Sequence, residues 1–450
     1  RPLGWFFWSF LAIGVSDRRQ RYLDFRAGCV LAIVLAINDP TVLKLAQILS
    51  SRPDLVSMEV ALGLQVLRDT VPPMSSEELE HELRKAFDRD RSHIFEQFDP
   101  VPFAAGTIAQ VHRAKLAHGG PEVAVKIVRG ASLDNLLHIL NLAMMLLSLR
   151  KVGNPALYDR TRRIAALILS QTDMLLEAAS MAAMQQDDNY DRFRVPRIPR
   201  VHSLATARSV LTMELLTNHV PCDRWKQCGV SGDVLALRLN HFHLRCIFLR
   251  GLFHCDLHPG NIFFDPHDEG RMALLDFGLI GEISENERSR ICTFFVAALS
   301  GEVDIALEIF RKYFVVRHNG AWDDPAVVDA FNRDMRPVFQ HHYVDSETWD
   351  VSRLIHDYEL VFAKYNLQGT AVWASIELSL IAIQGTSNML TEDCPHARDV
   401  QAIFRQFLTS NYRGLLRSVQ PEFAEQLRQS TIRKYAWGAI LQSADENVAS

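Results

Sequence analysis

The sequence predicts an α+β chain in which a small sheet with a helix lies between helical segments at both ends. Three observations lead there. Apolar residues recur at three and four spacing through residues 1–95. Two short β-type runs meet at a turn signal beyond Phe98, and helical periodicity returns and dominates after Asp233. The balance of 48 Lys plus Arg against 53 Asp plus Glu, a net charge of −5 over 450 residues, excludes electrostatic capture of nucleic acid as a main activity. A hydrophobic share of 48% suits a chain that buries a large core and excludes disorder. The 7 Cys form no Cys-x-x-Cys pair, so neither a zinc knuckle nor a disulfide framework is readable, and a reducing compartment is the default.

In chain order, Arg1 in place of Met reads as a fragment or a processed form. Trp5-Phe-Phe-Trp-Ser-Phe-Leu-Ala-Ile-Gly-Val15, followed by Asp17-Arg-Arg-Gln-Arg21, is too short an apolar run to span a bilayer of ~30 Å. Its aromatic load suits either a membrane interface or a core-docking helix. Val42, Leu45, Ile48 and Leu49, then Leu62, Val66 and Leu67, carry the helical spacing, and Asp39-Pro40 opens the first of these helices. Strands are expected at Thr107-Ile-Ala-Gln-Val-His112 and Glu122-Val-Ala-Val-Lys-Ile-Val128, joined through His118-Gly-Gly-Pro121 as a hairpin. The apolar run Leu136 to Leu149 ends at Gly153-Asn-Pro155 as a buried helix does, and helical spacing extends from Asp134 to about Asn189. A further strand is expected at Ser209-Val-Leu-Thr-Met213.

The chemistry-bearing residues follow an order that phosphoryl transfer requires: a cation for the phosphates, oxygen ligands for Mg²⁺, and a group near the acceptor. Lys126 lies in Val-Ala-Val-Lys on a strand. Asp256 and Asn261 lie in Asp-Leu-His-Pro-Gly-Asn, within Phe253-His-Cys-Asp-Leu-His-Pro-Gly-Asn-Ile-Phe-Phe264, and Asp276 opens an Asp-Phe-Gly. Alone, Lys126 would read as a solvated surface lysine and Asp-Phe-Gly as chance; the three in kinase order predict a nucleotide site. His254, His258 and Asp256 could instead form a zinc cluster, but no further ligand completes a tetrahedron. His241, His243, His341 and His342 read as facing solvent or satisfying local hydrogen bonds.

Over residues 35–285 the sequence resembles the UbiB family of atypical kinases, which support ubiquinone biosynthesis. Lys44-Leu-Ala-Gln47 resembles the family's Lys-x-Gly-Gln motif, followed by Ser50-Ser-Arg-Pro-Asp-Leu55 and Asp69-Thr-Val-Pro-Pro73. Ala104-Ala-Gly-Thr-Ile-Ala-Gln-Val-His112 resembles its alanine-rich phosphate loop, and His254 to Asn261 its His-x-Asp-x-His-Pro-Gly-Asn signature. The resemblance implies a two-lobed protein-kinase-like fold with added N- and C-terminal helices: an extension 1–95, a small lobe 96–213 with a helical insertion 131–165, a large lobe 214–320 and a helical region 321–450.

It also implies roles. Glu177, in Glu-Ala-Ala-Ser, is the helix glutamate that pairs with Lys126. Ala104, Ala105, Gly106 and Thr107 cover the phosphates, and Met213 with Glu214 forms the hinge. Asn261 and Asp276 bind Mg²⁺, and Asp256 accepts a proton or orients the acceptor. Lys44 and Gln47 belong to a lid whose lysine contacts an acidic pair, of which Gln171-Thr-Asp173 keeps only Asp173. Ala46 stands for the motif's glycine and Gly106 for the loop's third alanine. The implied cofactors are ATP and Mg²⁺. Implied partners are a prenyl-quinone precursor lipid or lipid-biosynthetic enzymes, with peripheral membrane contact at a mitochondrial inner membrane or a bacterial cytoplasmic membrane. A nucleotide-dependent scaffold for a lipid-enzyme assembly and an ordinary protein kinase are the competing readings.

Overall fold

The computed structural model describes residues 73–88, 90–105, 109–130, 172–185, 195–317, 324–345, 350–365, 367–391 and 417–435, with Phe407, Asn411, Gly414 and Leu415 besides. The chain divides into two compact units, one of residues 1–185, 197–219 and 274–279, the other of residues 186–196, 220–273 and 280–450. The expected insertion 131–165 lies outside the described residues, and so do Lys44, Gln47, Gly106 and Thr107.

The first unit begins with helix α1 (Ser76–Phe87), which Ser75 and Glu78 start with a reciprocal capping box and Asp88 ends in the left-handed region at φ 51°. Strands β1 (Phe95–Phe98), β2 (Ala104–Ala105), β3 (Ala109–Leu116), β4 (Glu122–Val128) and β5 (Val210–Glu214) make one sheet in the order β1-β3-β4-β5, with β2 added to β3. The hairpin register runs from Ala109↔Val128 to Lys115↔Glu122. Its turn places His118 at φ 60° and Gly119 at φ 71°, where glycine carries no steric cost.

Alternation along β4 sorts its side chains. Val123, Val125 and Ile127 join Leu79 and Leu83 of α1, Phe95, Ala114 and Val210 in the core of this unit. Lys126 therefore points to the opposite face. Strand β3 also buries two polar side chains fully, Gln110 and His112. They satisfy each other at 2.7 Å, while Gln110 accepts from the Met74 amide and the His112 Nδ1 donates to the Asp99 carbonyl. That pattern puts the His112 proton on Nδ1 and leaves Nε2 to accept from Gln110. Helix α2 (Met174–Met184) follows, packed against β5.

In the second unit, α3 (Gly232–Arg245) continues through a π turn, Cys246–Arg250, to Gly251 at φ 74°. A Cβ at Gly251 would lie 2.7 Å from the Ile283 carbonyl oxygen, so both space and backbone demand glycine there. Strand β6 (Val220–Pro221) pairs with β8 (Ile262–Asp265), which also pairs with β9 (Arg271–Leu274), while β7 (Leu252–His254) pairs with β10 (Ile280–Glu282). Helix α4 (Glu285–Ser300), capped by Ser284 with Glu287 and closed by Gly301 at φ 85°, runs through the core. Phe294 meets Phe310, Phe339, Tyr343 and Trp373 at ring separations of 5.3–5.8 Å, mostly edge to face. Helices α5 (Val303–Ile309), α6 (Pro325–Phe339), α7 (Val351–Tyr365), α8 (Ala371–Leu390) and α9 (Pro421–Tyr435) complete the unit. Among the described residues no helix is long and apolar enough to cross a membrane.

Candidate functional site

In the first unit, three elements deliver charged side chains to one point. Asp173 caps α2 by accepting from the Leu175 amide and pairs with Arg208 at 3.2 Å, and the Met174 amide donates to the Arg208 carbonyl. This sets Glu177 in the first turn of α2, with its side chain 2% exposed. Lys126 donates to both Glu177 oxygens, at 2.8 and 2.9 Å, and the Phe277 amide donates to Oε1 at 3.2 Å. Asp276 stands 3.4 Å from the Lys126 Nζ. A buried carboxylate is tenable only when its lone pairs are used, and Glu177 accepts three hydrogen bonds, two from Lys126 and one from the Phe277 amide.

Burial opposes charge on Lys126, but the carboxylates of Asp276 and Glu177 outweigh it and hold its pKa above the ordinary lysine value. Burial pushes Glu177 up, against the pull of Lys126. Two short bonds to one ammonium make the contact an ion pair. One ammonium faces two carboxylates, so the cluster retains a negative charge that suits a cation.

Asp276 sits at φ 60°, a left-handed conformation that costs a residue with a Cβ about 1–2 kcal/mol. One local bond holds it, the Gly278 amide donating to its Oδ1 at 3.2 Å, and the strand just upstream is tied by the Leu274 amide, which donates to the Arg197 carbonyl at 2.9 Å. About half of its side chain, 49%, is accessible. An ionised oxygen ligand offered to solvent fits Mg²⁺, which takes one or two protein ligands and completes its shell with phosphate oxygens and water.

In the second unit the loop from His254 to Asn261 is folded by its own side chains. His254 Nδ1 accepts from the Asp256 amide and His258 Nδ1 from the Gly260 amide, each at 3.0 Å. Both imidazoles are thereby committed to the backbone in their Nε2–H form. The Asn261 side-chain amide donates to the Asp256 carbonyl at 3.0 Å, and its main-chain N–H to the His258 carbonyl at 3.0 Å. With its NH₂ end committed, Asn261 has Oδ1 as the end that can meet a cation, which fits a carbonyl-type Mg²⁺ ligand. Cys222 donates its thiol to the Pro259 carbonyl, and Thr386 its hydroxyl to the Leu257 carbonyl at 2.6 Å. Each carbonyl from Asp256 to Pro259 is accounted for. Asp256 itself is part-exposed, 3.8 Å from His258 Nε2.

Ala104 and Ala105 form the exposed strand β2, paired with Val111 and Gln110. Met213 and Glu214 end β5, where Glu214 pairs with Arg197. The histidines require a correction. His243 and His342 are buried at 1% and 3% exposure, so neither faces solvent. His342 bonds to Asp357 at 2.7 Å, and His243 to Ser379, distant in sequence, at 3.1 Å. Sequence reasoning passed over Thr386 and Cys222, because nothing near either residue marks a partner so far along the chain.

The ABC1 atypical kinase-like domain matches residues 66–310, more than half of the 450-residue chain, and the chain belongs to that family. The fold is accordingly α+β and kinase-like. Curated relatives include "Probable protein kinase UbiB" of Cronobacter sakazakii, 27% identical over 336 residues, which covers 71% of this chain and 59% of that protein. The protein of the same name from Marinobacter nauticus is 26% identical over 424 residues, 89% of this chain and 74% of its own length. The chain thus spans between 59% and 74% of the length of these relatives. Among solved structures, the Rv3197–erythromycin complex from Mycobacterium tuberculosis aligns with 75% of this chain and 84% of its own at 20% identity and a TM-score of 0.49.

Proposed function

We propose that the chain binds ATP with Mg²⁺ and carries out ATPase or kinase-type phosphoryl chemistry in support of ubiquinone or related prenyl-quinone synthesis. The observation that carries the nucleotide reading is the cluster of Lys126, Glu177 and Asp276, in which a buried pair aims an ammonium beside an accessible carboxylate. Lys126 contacts the α and β phosphates, and Glu177 holds it there. Asp276 and Asn261 supply the oxygen ligands for Mg²⁺, which neutralises charge on the phosphates when bound. Asp256 takes up the acceptor's proton or orients the acceptor. Ala104, Ala105, Gly106 and Thr107 cover the phosphates, Met213 and Glu214 flank the base, and Lys44 with Gln47 and Asp173 forms the lid that keeps protein substrates out. The quinone link and a station at a membrane periphery rest on the motif resemblance to the UbiB family, and two relatives carry the name probable protein kinase UbiB.

The test is phosphate release from Mg·ATP with and without a quinone-precursor lipid, beside phosphotransfer to generic protein substrates. Lipid-stimulated release without protein labelling is the expected result. Strong labelling of proteins would make the chain an ordinary protein kinase, and binding without turnover a nucleotide-dependent switch for a lipid-enzyme assembly.

A further inference from the structure

We infer that Thr386 is a positioning residue for the Asp256 loop and that α8 acts, through it, as the brace of that loop. The inference rests on the proposed role of Asp256. It goes beyond that role by assigning a part to a helix outside residues 66–310, the stretch the kinase-like domain match covers.

The Leu257 carbonyl lies between Asp256, the proposed acceptor-side group, and His258. Its neighbours are bonded from within the loop or its immediate surroundings: Asp256 and His258 carbonyls by Asn261, the Pro259 carbonyl by Cys222. Leu257 alone among these four is held from α8, by a hydroxyl that is fully buried. The Asp256 carbonyl, held by Asn261, and the Leu257 carbonyl, held by Thr386, belong to the two consecutive peptide planes that follow the Asp256 Cα, so Thr386 completes the hold on the backbone from which the Asp256 side chain leaves.

Helix α8 is itself placed well enough to serve as a reference. Ser379, Ile383, Thr386, Ser387 and Leu390 share its buried face. On that face the Asn240 amide donates to Ser387 Oγ at 2.7 Å and to the Ala236 carbonyl at 2.8 Å. The Ser379 hydroxyl donates to the Ile376 carbonyl, which leaves its oxygen to accept from His243 Nε2. The C-terminal end of α8 is pressed against α3: a Cβ on Gly232 would stand 1.9 Å from the Leu390 carbonyl oxygen. Two polar ties and one backbone contact lock α8 to α3, and Thr386 passes that fixed position on to the loop.

The experiment compares the parent chain with Thr386→Val, Thr386→Ser and Asp256→Asn. Hydrogen exchange of residues 254–261, Mg·ADP affinity, ATP turnover and thermal melting are read for each. Thr386→Val keeps the shape and loses the donor. It is expected to speed exchange in the loop about tenfold and lower turnover at least about tenfold, with Mg·ADP affinity, to which Asn261 of the same loop contributes, lowered less than turnover. Thr386→Ser restores the donor and is expected to return exchange and turnover to within about twofold of the parent. Unchanged loop exchange in Thr386→Val overturns the brace. Loss of turnover in Val and Ser variants alike, in step with a fallen melting temperature, assigns Thr386 to packing alone and also overturns it. A loosened loop in Thr386→Val, together with parent-like hydrolysis by Asp256→Asn, supports the brace and overturns the role given to Asp256.

Discussion

Lys126 and Glu177 form a unit in which neither charge is tenable without the other. The lysine's side chain is 14% exposed and the glutamate's 2%. Removing one partner of such a pair costs about 3–5 kcal/mol, because it leaves the other charge buried. Lys126→Ala and Glu177→Ala are each expected to lower nucleotide affinity at least about tenfold, and the double variant to bind no worse than the weaker single one. Titration calorimetry on all four proteins checks this, and additive losses would reduce Glu177 to a helix residue with no part in placing the lysine. The two aspartates differ in the same assay. Asp276→Asn exchanges an anionic ligand for an amide and is expected to abolish most Mg²⁺-dependent binding, whereas Asp256→Asn should leave binding near parental and lower turnover, since its role belongs to the reacting state. Equal loss of binding in both would contradict that division.

At the scale of elements, the contact of α3 with α8 is the tightest backbone approach at the loop's support. Gly232 is at the N-terminal turn of α3, and its missing Cβ makes room for the Leu390 carbonyl. Gly232→Ala is expected to destabilise the chain by about 1–3 kcal/mol, the usual range for overpacking, and to speed exchange in residues 254–261 as the helices part. A parental melting temperature in that variant would show that the contact yields freely. The elements themselves were largely legible in the sequence. Strand β4 occupies Glu122–Val128 as expected, because β-branched residues alternate between turn signals, and β5 falls within one residue of the expected run. Strand β3 runs on to Leu116, past His112, because cross-strand pairing with β4 extends the ladder through residues whose own pattern is weak. The candidate site was legible where its chemistry is local in sequence: Lys126 on its strand, Glu177 on its helix, and the signature from His254 to Asn261. Thr386 and Cys222 were not read as structural, since a buried polar bond to a residue far along the chain leaves no periodic trace near either end.

For the whole molecule, buried histidines set how stability responds to acid. His243 is wholly enclosed, bonded through Nε2 to Ser379, with its ring 6.3 Å from that of Phe253. Burial pushes its pKa from 6.5 down to about 3, and the neighbouring His254 adds to the shift. Burial also lowers the values of His112 and His342. Between pH 6.5 and 3 the unfolded chain takes up a proton on residue 243 that the folded chain refuses, so the unfolded state binds more protons and stability falls as the pH drops through that window. At pH 5, 1.5 units below the unperturbed value of 6.5, this one residue costs about 2 kcal/mol, and above pH 7 it costs almost nothing. The parent is therefore expected to melt at a lower temperature at pH 5 than at pH 7. His243→Gln, which cannot titrate, should lose about 2 kcal/mol less over the same interval even if it starts from a lower stability, because the lost Ser379 bond shifts its curve without changing its slope. Denaturant melts of both proteins at pH 5, 6 and 7 measure the two slopes. Parallel curves would mean that the folded protein admits the proton on His243, by opening the α3–α8 contact or by letting water reach the ring. Either would remove α8 as a fixed reference for the loop it braces.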